Sequence, residues 1–468
     1  MVNVDGRSLL FHIPTTSLFE TDRLALDVIA FCESANGINL NQIEQIFEGR
    51  HDSGRVRDVI SSLIALEVLD DRAPKADAKR SSIEKFPLST LVLNVNTGCN
   101  LSCVYCYKED LATPALGQRM TFDVARDSIE MLLRESPDRT AYNIVFFGGE
   151  PLSNMELIRE VVSYAEDRFS KIGKRICFSL TTNGTLLTEE MVGYFDSHRF
   201  GITISMDGPK AIHDLRRRTV GGRGTYDVVS KKARMLLSRY RSRAVGARVT
   251  LTAGVTDVVK IWRHLKSGIG FHEVGFAPVT AGDIEKFNLT EKELIDVFEE
   301  MKTLGGLYLS SALKGDNIGF SNMHQLLTDI HNGTTKALPC GAGVGLLAVD
   351  KDGGLNLCHR FTGSNLRRFG NVREGVDRKD LGGFLEKRLD RGDTACNTCR
   401  IRNLCSGGCY HESYARYNDP ARPTYHYCDL MRGWVDFGIG IYAQILKSNP
   451  GYFERHIAPR RAHYGRSD

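Results

Sequence analysis

Three closely spaced cysteines carry the strongest chemical signal in this chain. Cys99, Cys103 and Cys106 follow an apolar, strand-like run at residues 91–96 and lie in a short polar loop. Thiolates are the usual protein ligands of iron–sulfur clusters. A cubane cluster has four irons, so three thiolates leave one iron free to hold a small molecule through nitrogen and oxygen.

A zinc site is the alternative interpretation of these cysteines. Structural zinc takes four protein ligands, and catalytic zinc takes three that usually include histidine or a carboxylate. The sequence near this loop contains no fourth cysteine and no histidine. The spacing therefore favours an iron–sulfur cluster over zinc and over a trio of reduced, buried thiols.

The cysteine loop resembles the signature of the radical S-adenosylmethionine (radical SAM) enzymes. That signature is Cys-x3-Cys-x2-Cys with an aromatic residue before the last cysteine, the position of Tyr105 here. The resemblance implies that Cys99, Cys103 and Cys106 hold a four-iron cluster, and that Tyr105 is among the cofactor contacts. It also implies that the open iron binds the amino and carboxylate groups of S-adenosylmethionine, whose cleavage gives a 5′-deoxyadenosyl radical.

Composition is that of a large enzyme, which we expect to be cytoplasmic. The chain has 468 residues, of which 42% are hydrophobic, enough for more than one domain. A net charge of +4 gives no reason to expect a nucleic-acid partner. We find neither an apolar window of about 20 residues nor a signal-peptide pattern, so no membrane span is expected. Clustered cysteines in so long a chain indicate metal or cluster chemistry more than disulfides.

Strand-like and helical segments alternate from residue 88 to residue 335, which predicts an α/β fold with a parallel sheet. Six units fit a partial (β/α)6 barrel, the radical SAM fold, better than a complete eight-unit barrel. The predicted strands are 91–96, 143–147, 176–182, 201–206, 247–255 and 273–279. The predicted helices include 121–135, 156–170, 189–195 and 226–240.

Three short motifs lie at the ends of these strands, where chemistry gathers in such folds. Gly148, Gly149 and Glu150 end the second strand, and the resemblance implies that this segment contacts the amino group of S-adenosylmethionine. Asn183 ends the third strand and matches a position that approaches the cofactor. Ser205 ends the fourth and resembles a serine near the cofactor's carboxylate and ribose. An ordinary turn is the alternative at each place.

Two basic stretches have competing interpretations. One of Arg216, Arg217 and Arg218 is a candidate partner for the cofactor's carboxylate, although a solvated basic face is the alternative for each. The lysines and arginines between residues 231 and 248 run without an intervening acid. They form either a solvated helix face or a surface that steers an acidic precursor.

The third part of the chain carries a second set of cysteines, whose spacing resembles the SPASM domain. This auxiliary-cluster module occurs in peptide-modifying radical SAM enzymes, and a zinc ribbon would account for only part of the set. The resemblance implies that one cluster is fully ligated by Cys396, Cys399, Cys405 and Cys428. It implies that another is held by Cys340, Cys358 and Cys409. This second auxiliary cluster would bind a substrate thiolate or a non-cysteine ligand at its remaining iron.

These assignments predict three 4Fe-4S clusters and leave Cys32 and Cys177 without a role. Cys177 lies in an apolar run and is predicted to be a small core residue. The predicted domains are a recognition module, the barrel, the SPASM domain and a C-terminal tail, at residues 1–80, 88–335, 336–440 and 441–468.

The N-terminal part resembles the PqqD-like winged-helix module that recognises precursor peptides. Such modules bind a leader peptide by strand addition, which edge strands make physically reasonable; a helical cap without a binding role is the alternative. The pattern predicts a strand pair, three helices, a closing strand and a linker at residues 8–14, 24–31, 40–47, 55–66, 66–70 and 72–82.

Two features bear on the substrate. His359 follows Cys358, whereas sulfatase maturases carry at that place an aspartate that serves as a base, which argues against their activity. Residues 10–20 resemble the start of the maturases of quinohemoprotein amine dehydrogenase, which join cysteine sulfurs to carbons of Asp and Glu in a small precursor protein. The resemblance implies a thioether-forming enzyme that takes a precursor with a leader and needs an external one-electron donor.

Two other hypotheses remain open. The protein could be a different SPASM peptide maturase that forms a carbon–carbon crosslink or oxidises a side chain. It could instead be a non-catalytic escort for a leader peptide, with structural clusters. The intact set Cys99, Cys103 and Cys106 favours catalysis, because an escort needs no open iron.

Overall fold

The computed structural model describes most of the chain, including all the cysteines. The described residues are 2–4, 7–14, 16–34, 40–47, 49–66, 68–69, 86–107, 117–280, 285–390, 394–423 and 426–457. The linker predicted at residues 72–82 lies outside them.

The elements alternate between strand and helix over the central part, as predicted. The strands are β1 (Val2–Val4), β2 (Arg7–His12), β3 (Ser17–Thr21), β4 (Thr90–Asn94), β5 (Ala141–Phe147), β6 (Arg175–Thr182), β7 (Gly201–Ser205), β8 (Val245–Leu251), β9 (Glu273–Pro278), β10 (Leu346–Val349), β11 (Leu355–Asn356), β12 (Gly370–Asn371) and β13 (Gly375–Val376). The helices are α1 (Arg23–Ser34), α2 (Leu40–Phe47), α3 (Ser53–Ala65), α4 (Phe122–Glu135), α5 (Met155–Lys171), α6 (Glu189–Ser197), α7 (Lys210–Arg216), α8 (Tyr226–Arg239), α9 (Val258–Arg263), α10 (Glu291–Ala312), α11 (Ser321–His331), α12 (Arg378–Leu389), α13 (Arg402–Cys405), α14 (Tyr410–Tyr417), α15 (Cys428–Ser448) and α16 (Gly451–His456).

One sheet organises the molecule, with strand order β11-β10-β4-β5-β6-β7-β8-β9. Strands β4 to β9 are all parallel, which confirms the predicted six-unit half-barrel. Alternate side chains of each strand face opposite sides of a sheet. In β5, Tyr142 is buried and packs against Phe169 of α5, whereas Asn143 and Phe147 face the concave interior of the half-barrel.

The sheet extends beyond the predicted barrel into the third part of the chain. Strand β10 pairs in parallel with β4, aligning Leu346 with Thr90, and β11 pairs antiparallel with β10. The amides of Ser89 and Thr90 also donate to the carbonyl of Gly345. The cysteine-rich part is therefore joined to the barrel through the sheet rather than through a linker.

The strand alternation corrects the prediction for Cys177. This residue is exposed, whereas its neighbour Phe178 is buried against the helices. Cys177 lies on the concave face of β6 with Ser179, and both line the open interior of the half-barrel. The apolar run correctly predicts a strand, but only one of its two faces belongs to the core.

The N-terminal part contains a three-stranded antiparallel sheet, β1-β2-β3, followed by three helices. The helices have their own apolar core, in which Leu24, Val28 and Ile60 are buried, and the predicted helices are confirmed. The predicted closing strand is wrong at Val68 and Leu69, whose amides both donate to the carbonyl of Leu63 and so extend the end of α3.

This N-terminal part contacts the rest of the chain. Leu9 of β2 is buried against Ala443 of α15, and the Asn403 side chain donates to the carbonyl of Ile13 at 2.7 Å. Helix α15 crosses the domain boundary expected at residue 440, and Ile445 is fully buried. No helix among the described residues is long and apolar enough to cross a membrane.

Candidate active site at the mouth of the half-barrel

The loop that carries Cys99, Cys103 and Cys106 is fixed by hydrogen bonds to a distant segment. The amide of Ser102 donates to the carbonyl of Arg218 at 2.8 Å, and that of Val104 donates to the carbonyl of Arg216 at 3.1 Å. These contacts hold the loop between the end of β4 and the end of α7. The three cysteines therefore lie at the carboxyl ends of the parallel strands, as predicted.

Two glycines bring the end of β5 directly onto this loop. A Cβ atom at Gly149 would lie 1.9 Å from the carbonyl oxygen of Gly98, immediately before the first cysteine. Gly148 has a φ of +142°, and a Cβ there would lie 2.4 Å from the carbonyl oxygen of Asn96. Only glycine allows this approach. The motif thus packs on the cluster loop itself.

Glu150 links this motif to the end of β6. Its buried carboxylate accepts hydrogen bonds from Thr182 Oγ1 at 2.6 Å and from the amide of Asn183 at 2.8 Å. Burial raises the pKa of Glu150, and these hydrogen bonds oppose the rise. The Asn183 side chain in turn lies 3.7 Å from Cys99 Sγ and donates to Asn100 at 2.9 Å. The two predicted motifs form one hydrogen-bonded unit that reaches the first cysteine.

A buried triad lies on the other side of the loop. The Tyr105 hydroxyl donates to Asp207 Oδ2 at 2.7 Å and accepts from Arg217 Nη1 at 2.5 Å. Asp207 also accepts from the amide of Thr250 at 3.0 Å. The Nε of Arg217 is buried and has no hydrogen-bond partner among the described residues. A donor is therefore left for a bound group.

The structure separates the three consecutive arginines. Arg216 donates to the carbonyl of Ala253 at 3.0 Å, and Arg218 donates to the carbonyl of Asp214 at 3.0 Å. Only Arg217 joins the buried triad. The sequence analysis did not identify Asp207 as a site residue. Its position in the motif that follows β7, two residues after Ser205, could have indicated it. Ser205 is half-buried at the end of β7, where its Cα is paired with that of Arg248.

The first cysteine trio fits the cluster that the motif predicts. Burial raises the pKa of Cys99 to about 12 and that of Cys103 to about 11, the latter against the opposing charge of Arg217. These thiols would ionise at neutral pH only beside a positive charge, which bound metal supplies. No three His, Cys, Asp or Glu side chains in the described ranges are placed to hold a single metal ion. The separate irons of a cubane need a wider arrangement of ligands.

The auxiliary cysteines come together in the two groups that the resemblance to the SPASM domain implies. Four of them line one small cavity: Cys396, Cys399, Cys405 and Cys428. Burial and the neighbouring thiolates of this group raise the pKa of Cys428 to about 11. In the other group, burial and the nearby Cys409 and Cys340 raise the pKa of Cys358 to about 12. Their roles as ligands remain predictions.

A buried arginine that sequence reasoning missed organises the auxiliary loops. The side chain of Arg388 is fully buried and donates to the carbonyls of Gly407, Gly408 and Ala421 at 2.6, 2.8 and 3.1 Å. Burial raises the pKa of Cys340, and the charge of Arg388 opposes that rise. Arg388 therefore donates hydrogen bonds to backbone carbonyls in a segment that is not part of a β-sheet.

Tyr107 lies between the two cysteine regions. Tyr107 follows Cys106 in the sequence. Burial raises the pKa of Tyr107, and the charges of Cys106, Cys358 and Cys409 raise it further. The Tyr107 ring lies 5.5 Å from His411, and the His359 ring lies 4.3 Å from Phe147 at the end of β5. Tyr107 therefore lies close both to the cofactor loop and to the auxiliary trio of Cys340, Cys358 and Cys409.

The basic stretch between residues 231 and 248 is not one continuous face. Arg234 donates to the carbonyl of Gly268 at 2.6 Å, and Arg239 pairs with Glu189 at 2.8 Å. Arg241 donates to the carbonyl of Leu237 at 3.1 Å. Several of these cations thus bind groups of the protein itself. This favours a solvated helix face over a surface that steers an acidic precursor.

Comparison with known families agrees with this architecture. Residues 93–261 match the model of the radical SAM superfamily. This match covers the cysteine loop and the strand-end motifs described above. The chain therefore contains a radical SAM domain, and the protein is a radical SAM enzyme with a half-barrel α/β fold.

Its relatives include enzymes that mature other proteins. The chain is 27% identical to the cysteine-type anaerobic sulfatase-maturating enzyme of Clostridium perfringens, over 75% of this chain and 96% of that protein. It is 23% identical to the serine-type enzyme of Klebsiella aerogenes, over 81% and 96%.

Two solved structures share the fold. Native anSMEcpe with bound AdoMet has a TM-score of 0.66 at 22% identity and covers 77% of this chain and 100% of that chain. Streptococcus suis SuiB bound to the precursor peptide SuiA has a TM-score of 0.52 at 14% identity and covers 91% and 99%. The second match includes the N-terminal part of the chain.

Proposed function

We propose that this enzyme forms thioether links between cysteine and Asp or Glu residues in the small-subunit precursor of quinohemoprotein amine dehydrogenase. The observation that carries the proposal is the position of Tyr107, which follows Cys106 in the sequence and lies close enough to Cys358 and Cys409 for their charges to act on it. A substrate held there meets both the cofactor loop and the auxiliary trio.

Forming each thioether link is a two-electron oxidation of the peptide. One C–H bond and one S–H bond of the peptide are replaced by one C–S bond, so the peptide loses two hydrogen atoms. S-adenosylmethionine and its cluster, when bound, supply the radical that removes the carbon-bound hydrogen. The electron that cleaves S-adenosylmethionine would come from the external one-electron donor, and the electron released when the carbon radical joins the thiolate would replace it through the clusters held by the auxiliary cysteines. S-adenosylmethionine is then the net two-electron oxidant, and the thiol proton leaves to solvent.

The residues of the site have distinct roles in this proposal. Cys99, Cys103 and Cys106 hold the cofactor-binding cluster, and Glu150 and Asn183 set the position of the first cysteine. Of the three adjacent arginines, we assign the cofactor's carboxylate to the buried Arg217, whose Nε has no hydrogen-bond partner among the described residues. Cys340, Cys358 and Cys409 hold the auxiliary cluster that accepts the substrate thiolate.

The N-terminal part supplies a groove for the leader peptide. The groove lies between β3 and α3, has a volume of about 350 Å³ and is lined by Phe19, Val59 and Leu63 among others. Within the described residues β3 pairs only with β2, so its other edge can accept a strand. This arrangement supports the predicted recognition module.

A second candidate is oxidation of a single side chain, as the names of the sulfatase-maturating relatives suggest. The specific observation against it is His359, which stands where those enzymes carry an aspartate base. The same position packs against Phe147 at the strand end beside the cofactor loop. A histidine there changes the group that faces the substrate.

Mass spectrometry of the co-expressed precursor tests the proposal. We expect a loss of about two mass units per link, as in any oxidation that removes two hydrogens. The crosslinked cysteine should also resist alkylation by iodoacetamide. A mass loss with a cysteine that still alkylates would indicate a carbon–carbon link, and an unlinked, oxidised side chain would support the second candidate. The triple variant C99A/C103A/C106A is the matched control.

A further inference from the structure

The concave interior of the half-barrel is open at the amino ends of its strands, far from the cysteine loop. The cavity there has a volume of about 750 Å³, and its floor includes Asn143 of β5 and Ser179 of β6. Ser179 is paired with Gly201, the first residue of β7. The floor is therefore polar, and it leads along the strands toward the mouth where the cofactor loop lies.

Three arginines surround this cavity, and we call them the rim arginines. Arg175 is the first residue of β6, whereas Arg199 and Arg243 lie just before β7 and β8. All three are exposed and line the same cavity. The amino ends of three neighbouring strands thus each contribute one positive charge to one opening.

Arg243 reaches into the cavity over a glycine. Its Nη1 lies 3.4 Å, and its Cζ 3.6 Å, from the position that a Cβ would take at Gly201. The same position is 3.2 Å from the Cβ of Ser179, so the guanidinium lies over Gly201 and beside Ser179. Arg243 belongs to the basic stretch at residues 231–248, but it lies beyond the end of α8 and points into the half-barrel instead of binding locally.

Arg199 has a backbone conformation that glycine normally occupies. Its φ is +52°, its amide donates to the carbonyl of Asp196 at 3.1 Å, and the amide of Phe200 donates to the carbonyl of Phe195 at 3.0 Å. These bonds end α6 in a Schellman motif, whose left-handed residue is usually glycine. Any other residue costs stability there. An arginine is therefore placed at the rim of the cavity at a local conformational cost.

The acids near the rim arginines are engaged by other groups. Glu166 lines the cavity and pairs with His198 at 2.8 Å. Asp196 accepts from the amides of Arg241 and Ser242 at 2.9 and 2.8 Å. Among the described residues the rim arginines form no ion pair and donate no side-chain hydrogen bond. The opening therefore carries a positive charge that attracts carboxylates, which the guanidinium group binds through two hydrogen bonds.

We propose that the rim arginines bind a carboxylate of the precursor peptide at a distance from the side chain that is modified. This subsite rests on the proposed function and specifies how the peptide lies in the half-barrel. Strand β7 rises about 3.3 Å per residue, so Gly201 lies about 13 Å from Ser205 at the mouth. An extended peptide covers that distance in about four residues. The enzyme then selects a substrate with Asp or Glu about four residues from the reacting carbon.

Binding of two synthetic peptides tests the site without any reaction. The acidic probe is a short peptide of Gly and Ser with a pair of Glu residues, and the amide probe carries Gln in their place. Both are titrated, without a reductant, into enzyme loaded with iron and S-adenosylmethionine. The variants are Arg243→Met, Arg199→Gly and the charge-preserving Arg243→Lys. The matched control is Arg263→Met, which removes an exposed arginine of α9 outside the cavity lining.

We expect wild-type enzyme to bind the acidic probe about tenfold more tightly than the amide probe, as for hydrogen bonds to a charged group. Arg243→Met should remove most of this preference, and Arg243→Lys should keep part of it, because the charge remains without the paired donors. Arg263→Met should keep the preference. Arg199→Gly should lower it while raising the midpoint of denaturant unfolding, because glycine suits the left-handed conformation. A purely structural role for Arg199 would not lower the preference.

Two results would overturn the inference. One is equal binding of the two probes by the wild-type enzyme. The other is an equal loss of preference in Arg243→Met and Arg263→Met, which would mean that only the net charge of the protein matters.

The predicted spacing is tested on the core segment of the precursor, without its leader. Each Asp or Glu is replaced in turn by Asn or Gln, and apart from the modified residue itself the largest loss of affinity should fall about four residues away from it. A largest loss elsewhere would refute the predicted position of the peptide. Product identity is scored separately, because a product other than a thioether would refute the proposed function while leaving the comparison of the synthetic probes intact.

Discussion

The two cysteine regions of this enzyme are built in different ways. The loop at residues 99–106 is anchored to a segment far away in sequence, through backbone bonds to Arg216 and Arg218. The segment at residues 394–409 makes mainly local backbone bonds, such as those from Cys405 to Ile401 and from Ser406 to Arg402. Distant backbone bonds therefore position the first set of thiols, whereas local backbone bonds and the side chain of Arg388 organise the segment that carries the second set.

This difference has a functional reason. Under the proposed assignment the first loop holds its thiols while one iron stays open, so its geometry cannot rely on a complete set of ligands. The group of Cys396, Cys399, Cys405 and Cys428 can ligate a whole cluster, and metal binding then contributes directly to folding. A module of this kind needs little sheet or helix of its own.

The sharpest test of the comparison removes the first set of thiols. In C99A/C103A/C106A we expect about a third of the iron to be lost, one cubane of three, and cleavage of S-adenosylmethionine to fall to background. Because the loop is anchored by backbone bonds, the free energy of unfolding should change little. Iron analysis, cleavage assays and denaturant unfolding measure these effects. Full cleavage activity with unchanged iron would refute the cluster assignment.

Removing one thiol from the second set should damage the fold instead. In Cys405→Ala we expect loss of product, loss of iron and more aggregated protein, because an incompletely ligated cluster no longer stabilises residues 394–428. Hydrogen exchange should increase there far more than at residues 97–106. Cys177→Ala, at an exposed cysteine without a predicted role, is the matched control. Equal exchange in both regions would contradict the proposed difference.

A third substitution separates the two auxiliary groups. Cys358→Ala affects the trio that faces Tyr107, so it should reduce crosslinking much more than it reduces cleavage of S-adenosylmethionine. The cofactor loop does not depend on Cys358 for its backbone anchors. The ratio of crosslinked product to 5′-deoxyadenosine, measured in one reaction, reports this uncoupling. An unchanged ratio would show that the trio does not handle substrate or electrons.

The smallest effect is expected at the leader groove. Ser62 is exposed on α3 and lines the groove, so Ser62→Arg should obstruct it without disturbing the core of the N-terminal part. We expect leader affinity to fall about tenfold, equivalent to about 1.4 kcal/mol. Ser61→Arg, one residue away, exposed and outside the groove lining, should bind the leader normally. If both variants bind the leader equally well, the docking site lies elsewhere. Point substitutions are sharper than deletion of residues 1–80, because Leu9 packs against α15.

Sequence patterns predicted the parallel strands well, because each strand is a local apolar run with a turn at its end. They did not predict β10, whose four residues pair with β4 although the two strands are more than half the chain apart. They also placed Cys177 in the core, because the run alone does not tell which face of β6 packs against helices. The closing strand failed for a related reason, since Val68 and Leu69 complete the end of α3 rather than pair with a sheet.

By itself the sequence predicted the chemistry of the cysteine loop, because ligand type and spacing are local properties. The grouping of the auxiliary cysteines came from their resemblance to the SPASM domain. Only the tertiary structure chose Arg217 from three adjacent arginines and set it beside Tyr105 and Asp207. These residues lie far apart in the sequence. The partner of an arginine therefore depends on which polar and charged groups the fold brings close to it.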